Sequence, residues 1–139
     1  MKKITLLITL LLFIFSANAQ SIIGKWKTID DETGKAKSIV KIYKKGGKYY
    51  GKIVEILDPT KRKNKCTLCK DSRKDQSILG MEIIKDLEQD DDEFEDGTIL
   101  DPNNGKIYDC KIWLEGKDTL KVRGYVMFFY RTQTWHRVK

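Results

Sequence analysis

Asp101-Pro102-Asn103-Asn104-Gly105, running into Lys106-Ile107-Tyr108-Asp109-Cys110-Lys111-Ile112-Trp113-Leu114-Glu115, sets the fold class. Proline holds φ early in the turn and Asn-Gly tolerates the left-handed region, so the first five residues reverse the chain. In the next ten, Tyr108, Cys110, Ile112 and Leu114 share one face while Asp109, Lys111 and Trp113 share the other. That period of two belongs to a strand with one buried side.

The same grammar extends in both directions. Downstream, Gly116-Lys117-Asp118 turns the chain, Leu120, Val122, Gly124 and Val126 line one face of the next strand, and 128–138 forms the last. Upstream, 97–100 is a short strand, and 89–96 is acidic, interrupted by Phe94, and reads as a solvated loop. Residues 80–87, carrying Met81, Ile83, Ile84 and Leu87, fit a strand or a short helix and are read as a strand. From Asp58 to Ile78 the pattern breaks into a long basic loop with Cys66 and Cys69. Before it, 24–28, 38–44 and 49–57 read as strands joined by Asp30-Asp31-Glu32-Thr33-Gly34-Lys35 and Lys45-Gly46-Gly47-Lys48. About eight consecutive strands with tight turns predict an all-β fold, an antiparallel meander closed into a barrel, since closure removes exposed edges. A barrel of eight strands is just wide enough inside to be filled by side chains or to hold one small ligand.

The first nineteen residues have the form of an export signal: Lys2 and Lys3, an apolar run from Ile4 to Phe15, then Ala17-Asn18-Ala19. The run is too short to cross a bilayer, which predicts cleavage rather than a transmembrane anchor, and leaves 20–139 as a single domain in the periplasm or outside the cell. The whole chain has 27 Lys and Arg against 20 Asp and Glu. Their distribution is uneven: 16 basic and 7 acidic residues over 20–80, against 4 and 13 over 81–120.

Gly24-Lys25-Trp26 on the first strand, with Arg131 and Arg137 on the last, resembles the signature of the lipocalin and fatty-acid-binding superfamily. That resemblance implies a tryptophan at the barrel floor beneath a guanidinium from the final strand, with Trp26, Arg131, Trp135 and Arg137 structural. Nearly the whole mature chain also resembles the secreted bacterial family known as domain of unknown function 2147. The residues carrying this are Gly24 and Trp26, Tyr50-Gly51-Lys52-Ile53-Val54, Cys66-Thr67-Leu68-Cys69, Ile78-Leu79-Gly80, Asp96 to Pro102, Gly105 to Tyr108, Leu120 to Tyr125 and Arg131 to Trp135. The family implies a lipocalin-like barrel outside the cytoplasm and no particular activity. This chain departs from the pattern at Phe94, where a tryptophan is expected, and at Phe128-Phe129-Tyr130, bulky enough to fill a lumen.

Each chemically suggestive group has a plainer use. Cys66 and Cys69 form a pair with the spacing of redox motifs, but their polar flanks lack the strand-to-helix setting, and a bridge stapling the loop is expected. Such a short bridge is worth roughly 2 kcal/mol in the loop-entropy account, against roughly 4 for one to Cys110. Cys110 lies on the apolar face of its strand, as a small buried hydrophobe would. Zinc held by Cys66, Cys69, Cys110 and His136 would need reduced thiolates in an oxidising compartment, so no metal is expected. In the acidic run, Phe94 and Glu95 stand where an EF-hand loop needs a ligand and a glycine. The basic loop has no interleaved aromatic residues for base stacking, which argues against nucleic acid. His136 has no evident nucleophile partner.

Tyr43, Tyr50, Tyr108 and Tyr125 offer amphipathic surface suited to a barrel lumen or mouth and are the candidate ligand contacts. The reading as a whole is an exported, monomeric, non-enzymatic module without cofactor. It would bind a small apolar or amphipathic ligand or associate with the envelope surface. A thiol-disulfide protein using Cys66 and Cys69, or an interaction protein with a filled barrel, are the alternatives.

Overall fold

The computed structural model describes residues 20–139; the expected export signal lies outside the described residues. Eight strands follow one another: β1 (Gly24–Ile29), β2 (Ala36–Lys45), β3 (Lys48–Ile56), β4 (Glu82–Asp90), β5 (Glu93–Asp101), β6 (Lys106–Leu114), β7 (Thr119–Val126) and β8 (Phe129–Arg137). A 3-10 turn, Pro59–Lys61, interrupts the long connection. Each strand pairs antiparallel with the next and β1 pairs with β8, so the sheet is a closed eight-stranded barrel. The closing seam is the shortest ladder, with Trp26 opposite Arg137 and Lys27 opposite His136. One end carries the β1–β2, β3–β4, β5–β6 and β7–β8 connections and is termed the mouth; the other, with the β2–β3, β4–β5 and β6–β7 connections and both ends of the described chain, is the floor.

Alternation sorts side chains into a packed interior and a polar outside. Trp26, Val40, Ile42, Tyr49, Ile84, Leu87, Phe94, Ile112, Leu120, Val122 and Trp135 belong to one buried cluster. Register shifts in β1, β2, β3 and β5 curve the strands as β-bulges do. Asp86 and Asp96 take positive φ inside β4 and β5. Gly97 sits where these strands press together: a Cβ there would lie 2.4 Å from the Lys85 carbonyl oxygen.

Three expectations are corrected. The acidic segment 89–96 is a hairpin, β4 running to Asp90 and β5 starting at Glu93, with Asp91 at φ 58° in the turn. Phe94, buried edge-on against Tyr49 at 4.8 Å between ring centres, outweighs the weak strand preference of its acidic neighbours. The strand beginning at Gly80 in the sequence reading begins instead at Glu82. Phe128, Phe129 and Tyr130 do not fill the interior; they stand exposed at and beside the β7–β8 turn.

Candidate functional site

The floor is closed by an indole and a guanidinium. Trp26 is fully buried, its Nε1 donating to the Ile22 carbonyl at 2.8 Å, and the Arg137 guanidinium carbon sits 4.3 Å from the centre of the Trp26 ring. Arg137 also donates to the carbonyls of Ser21 (2.7 Å), Ile23 (3.2 Å) and Lys117 (2.8 Å), tying the segment before β1 across the floor. Arg131 is not part of this closure. Six strand residues away, on the order of 20 Å, it lies at the mouth, 3.5 Å from Asp31. Trp135 is buried above the floor and donates from Nε1 to Gln133 at 3.0 Å.

The interior opens toward the mouth. On β7 and β8 the inward positions pair Leu120 with Trp135, Val122 with Gln133, and Gly124 with Arg131. Burial declines along that row, from sealed Leu120 and Trp135 through half-buried Gln133 and Gly124 to exposed Arg131. Tyr108 and Ile99 are opposite each other on β6 and β5, both half-buried, and the empty Cβ position of Gly124 lies 3.5 Å and 3.8 Å from their side chains. Tyr108 accepts from Asn104 at 3.1 Å on the rim. Asp31 accepts from Gln133 at 2.8 Å and from Arg131, so side chains close the β1–β8 seam where its ladder has ended. Just below the β1–β2 connection that carries Asp31, Thr28 and Ser38 satisfy each other across 2.8 Å. At the mouth end the inward positions are therefore only partly covered, with Ile99 and Tyr108 as apolar wall and Arg131 as the one guanidinium among them; this surface is termed the cup.

Of the four candidate tyrosines, only Tyr108 faces this cup. Tyr43 pairs with Tyr50, one step out of phase with buried Ile42 and Gly51, so both are on the outer wall, stacked with ring centres 6.0 Å apart. Tyr50 donates to Asp86 at 2.7 Å and Tyr43 to Glu82. Burial and then the Glu82 contact raise the Tyr43 pKa, while the Asp86 contact leads in raising that of Tyr50. Tyr125 also faces outward, opposite Tyr130, whose ring is covered by the Arg123 guanidinium at 4.2 Å. Two open depressions mark the outer wall. One of about 440 Å³ lies among Glu95, Asp109, Lys111 and Tyr125, and one of about 300 Å³ lies between Arg73, Leu79 and Lys85.

Cys66 and Cys69 form a disulfide, with Cα atoms 5.4 Å apart. Both cysteines are buried, in one cluster with Leu100, and the loop is further held by backbone bonds Cys66 to Gln76 (2.9 Å) and Asp75 to Cys66 (2.8 Å). Gly105 takes φ 71° so that the β5–β6 turn can pass under this loop; a Cβ there would come within 2.0 Å of the Leu68 carbonyl. Buried Arg73 binds Asp71 and donates to the Glu82 carbonyl at 2.9 Å, holding the Asp71 carboxyl down at about 2. Cys110 is a free, buried thiol whose pKa burial pushes up to about 12. His136 lies on the exposed side of β8 beside Lys27 and Thr119.

Asp31, Gln133 and Arg123 are not legible as site residues in the sequence, because their partners come from other elements of the fold. The exposed 126–130 segment has a visible signal in the sequence, a turn between strands without glycine, asparagine or proline.

A solved structure, described as protein HP1028 from the human pathogen Helicobacter pylori belonging to the lipocalin family, is similar at a TM-score of 0.75 and 21% identity. The alignment covers 86% of this chain and 84% of that one, which shows the shared fold. No curated protein matches the sequence. A family model described as an uncharacterized protein conserved in bacteria matches residues 24–137, the span of all eight strands. The chain therefore belongs to the bacterial family known as domain of unknown function 2147, built as a lipocalin-like barrel.

Proposed function

We propose that this is an exported, monomeric, single-domain protein, its first nineteen residues removed, which binds a small, partly apolar ligand at the barrel mouth and catalyses no reaction. The observation that carries the reading is the burial gradient along the inward row of β7 and β8, sealed at Leu120 and Trp135 and open at Arg131. A barrel interior sealed at the floor and less covered at the mouth suits a single small molecule at its open end. Ile99 and Tyr108 supply apolar wall, Gly124 leaves room, and Arg131, held from one side by Asp31, keeps donors free for an anionic or polar head.

Titration with the anionic amphipath 1-anilinonaphthalene-8-sulfonate tests this. Saturable binding is expected, weakened about ten-fold or more by Gly124→Leu, which fills the cup, and less by Arg131→Ala. Absence of saturable binding, or indifference to both changes, refutes it. Mass spectrometry of the N-terminus after expression checks export: an intact Met1 in envelope fractions counts against it.

A second reading, an interaction protein acting through its outer wall, draws on the packed lower interior and on the two depressions lying outside it. Thiol-disulfide exchange has less support, because both bridge sulfurs are buried and exchange needs in-line access of an attacking thiolate.

A further inference from the structure

The β7–β8 turn is made of side chains that water disfavours. Val126, Met127, Phe128, Phe129 and Tyr130 are consecutive and exposed, Met127 at 89%, Phe128 at 95% and Phe129 at 78%. Isolated surface apolar residues are ordinary, whereas a contiguous apolar projection marks an interaction site. Met127 takes φ 52°, where a two-residue hairpin favours glycine, so apolar character is kept even against the preference of the turn.

Charge indicates what the projection meets. The β3–β4 connection, at the same end of the barrel, has seven Lys and Arg against three Asp, and Lys61, Arg62, Lys63, Lys65, Lys70 and Lys74 are all exposed. The floor end presents the acidic hairpin Asp90-Asp91-Asp92-Glu93. The floor also carries Lys44, Lys45 and Lys48 at the β2–β3 turn, and the mouth also carries Asp30, Asp31 and Glu32. The attraction to a negative surface therefore rests on the basic loop that shares the tip's end of the barrel rather than on an overall polarity of the molecule. Behind the tip, Tyr125 and Tyr130 lie 6.0 Å apart with Arg123 over Tyr130 at 4.2 Å, amphipathic groups suited to headgroup depth. A two-residue turn and its flanking residues are too small for the core and rim of a protein interface, but a bilayer accepts them.

We propose that the β7–β8 hairpin inserts its tip at the headgroup boundary of an anionic phospholipid bilayer, drawn there by the basic β3–β4 connection. This goes beyond ligand capture in the cup and stands independently of it, since the tip points away from the interior.

The test is flotation with vesicles of phosphatidylglycerol mixed with phosphatidylcholine, and with vesicles of phosphatidylcholine alone. The full-length sequence is expressed, and all variants are compared at the same processed N-terminus. Binding to the anionic vesicles is expected, falling about ten-fold or more in Met127→Ser/Phe128→Ser with unchanged circular dichroism. Lys61→Glu/Lys63→Glu should remove the preference for anionic lipid, as should about 1 M salt, where screening acts within about 3 Å. In Phe128→Trp, blue-shifted emission quenched by brominated lipid, beyond the wild-type response, places the tip in the bilayer. Absence of binding, binding indifferent to the tip variants, or self-association that depends on the tip in sedimentation velocity without vesicle binding would each overturn the proposal. Unchanged anilinonaphthalene binding in Met127→Ser/Phe128→Ser separates this outcome from the cup's.

Discussion

Two arginines on β8 behave differently because alternation and distance along the strand put them in different surroundings. Arg137 rests on a buried indole and donates to three carbonyls, whereas Arg131 has one 3.5 Å partner and a side chain 78% exposed. Arg137→Ala should lower unfolding free energy by about 2 kcal/mol in urea titration, and Arg131→Ala by no more than about 0.5. Equal losses would mean that the floor closure is not what the arginine stabilises. Cys110 should resist iodoacetamide in the native protein and react on unfolding, since burial shields the thiol and pushes its pKa up to about 12. Asp71 gives a pH signature. Its carboxyl is more acidic folded than unfolded, about 2 against 3.8, so its stabilisation is complete above about pH 4 and fades as pH falls toward 2. Denaturation midpoints followed over that window should drop less in Asp71→Asn than in the wild type.

Among the elements, the β3–β4 connection has the most to explain, being long for a compact domain. Its disulfide, its Lys65–Ser77 bridge and buried Arg73, bonded to the Glu82 carbonyl, hold it against the β5–β6 turn and the start of β4. The double change Cys66→Ser/Cys69→Ser should leave the barrel folded, cost about 2 kcal/mol, and expose bonds beside Lys61–Lys65 to trypsin. A collapse of the whole far-ultraviolet spectrum would contradict a purely local staple. The loop was legible in the sequence because alternation stopped at Asp58, and the cysteine spacing announced its staple. The β4–β5 hairpin was not legible. Its acidic residues have poor strand propensity, and the contacts that force them into the ladder, Phe94 on Tyr49 and Lys111 on Glu93 at 2.7 Å, come from β3 and β6.

For the molecule as a whole, the seam is the weakest join, since β1 and β8 share only two register pairs while β7 and β8 share eight. Native-state hydrogen exchange should show β1 amides opening below the global unfolding free energy, with β6 and β7 among the last; uniform protection would show that side chains such as Asp31 and Gln133 close the seam as firmly as a ladder. The number of strands, their antiparallel order and closure into a barrel could be read in advance, because alternation and turn chemistry are local and every segment carried its own record of them. The face on which each tyrosine emerges, the separation of Arg131 from Arg137, the cup below Arg131 and the outward thrust of Phe128 could not. Each depends on register across strands far apart in the chain, where a slip of one residue exchanges inside for outside, and only closure of the complete sheet selects between the two.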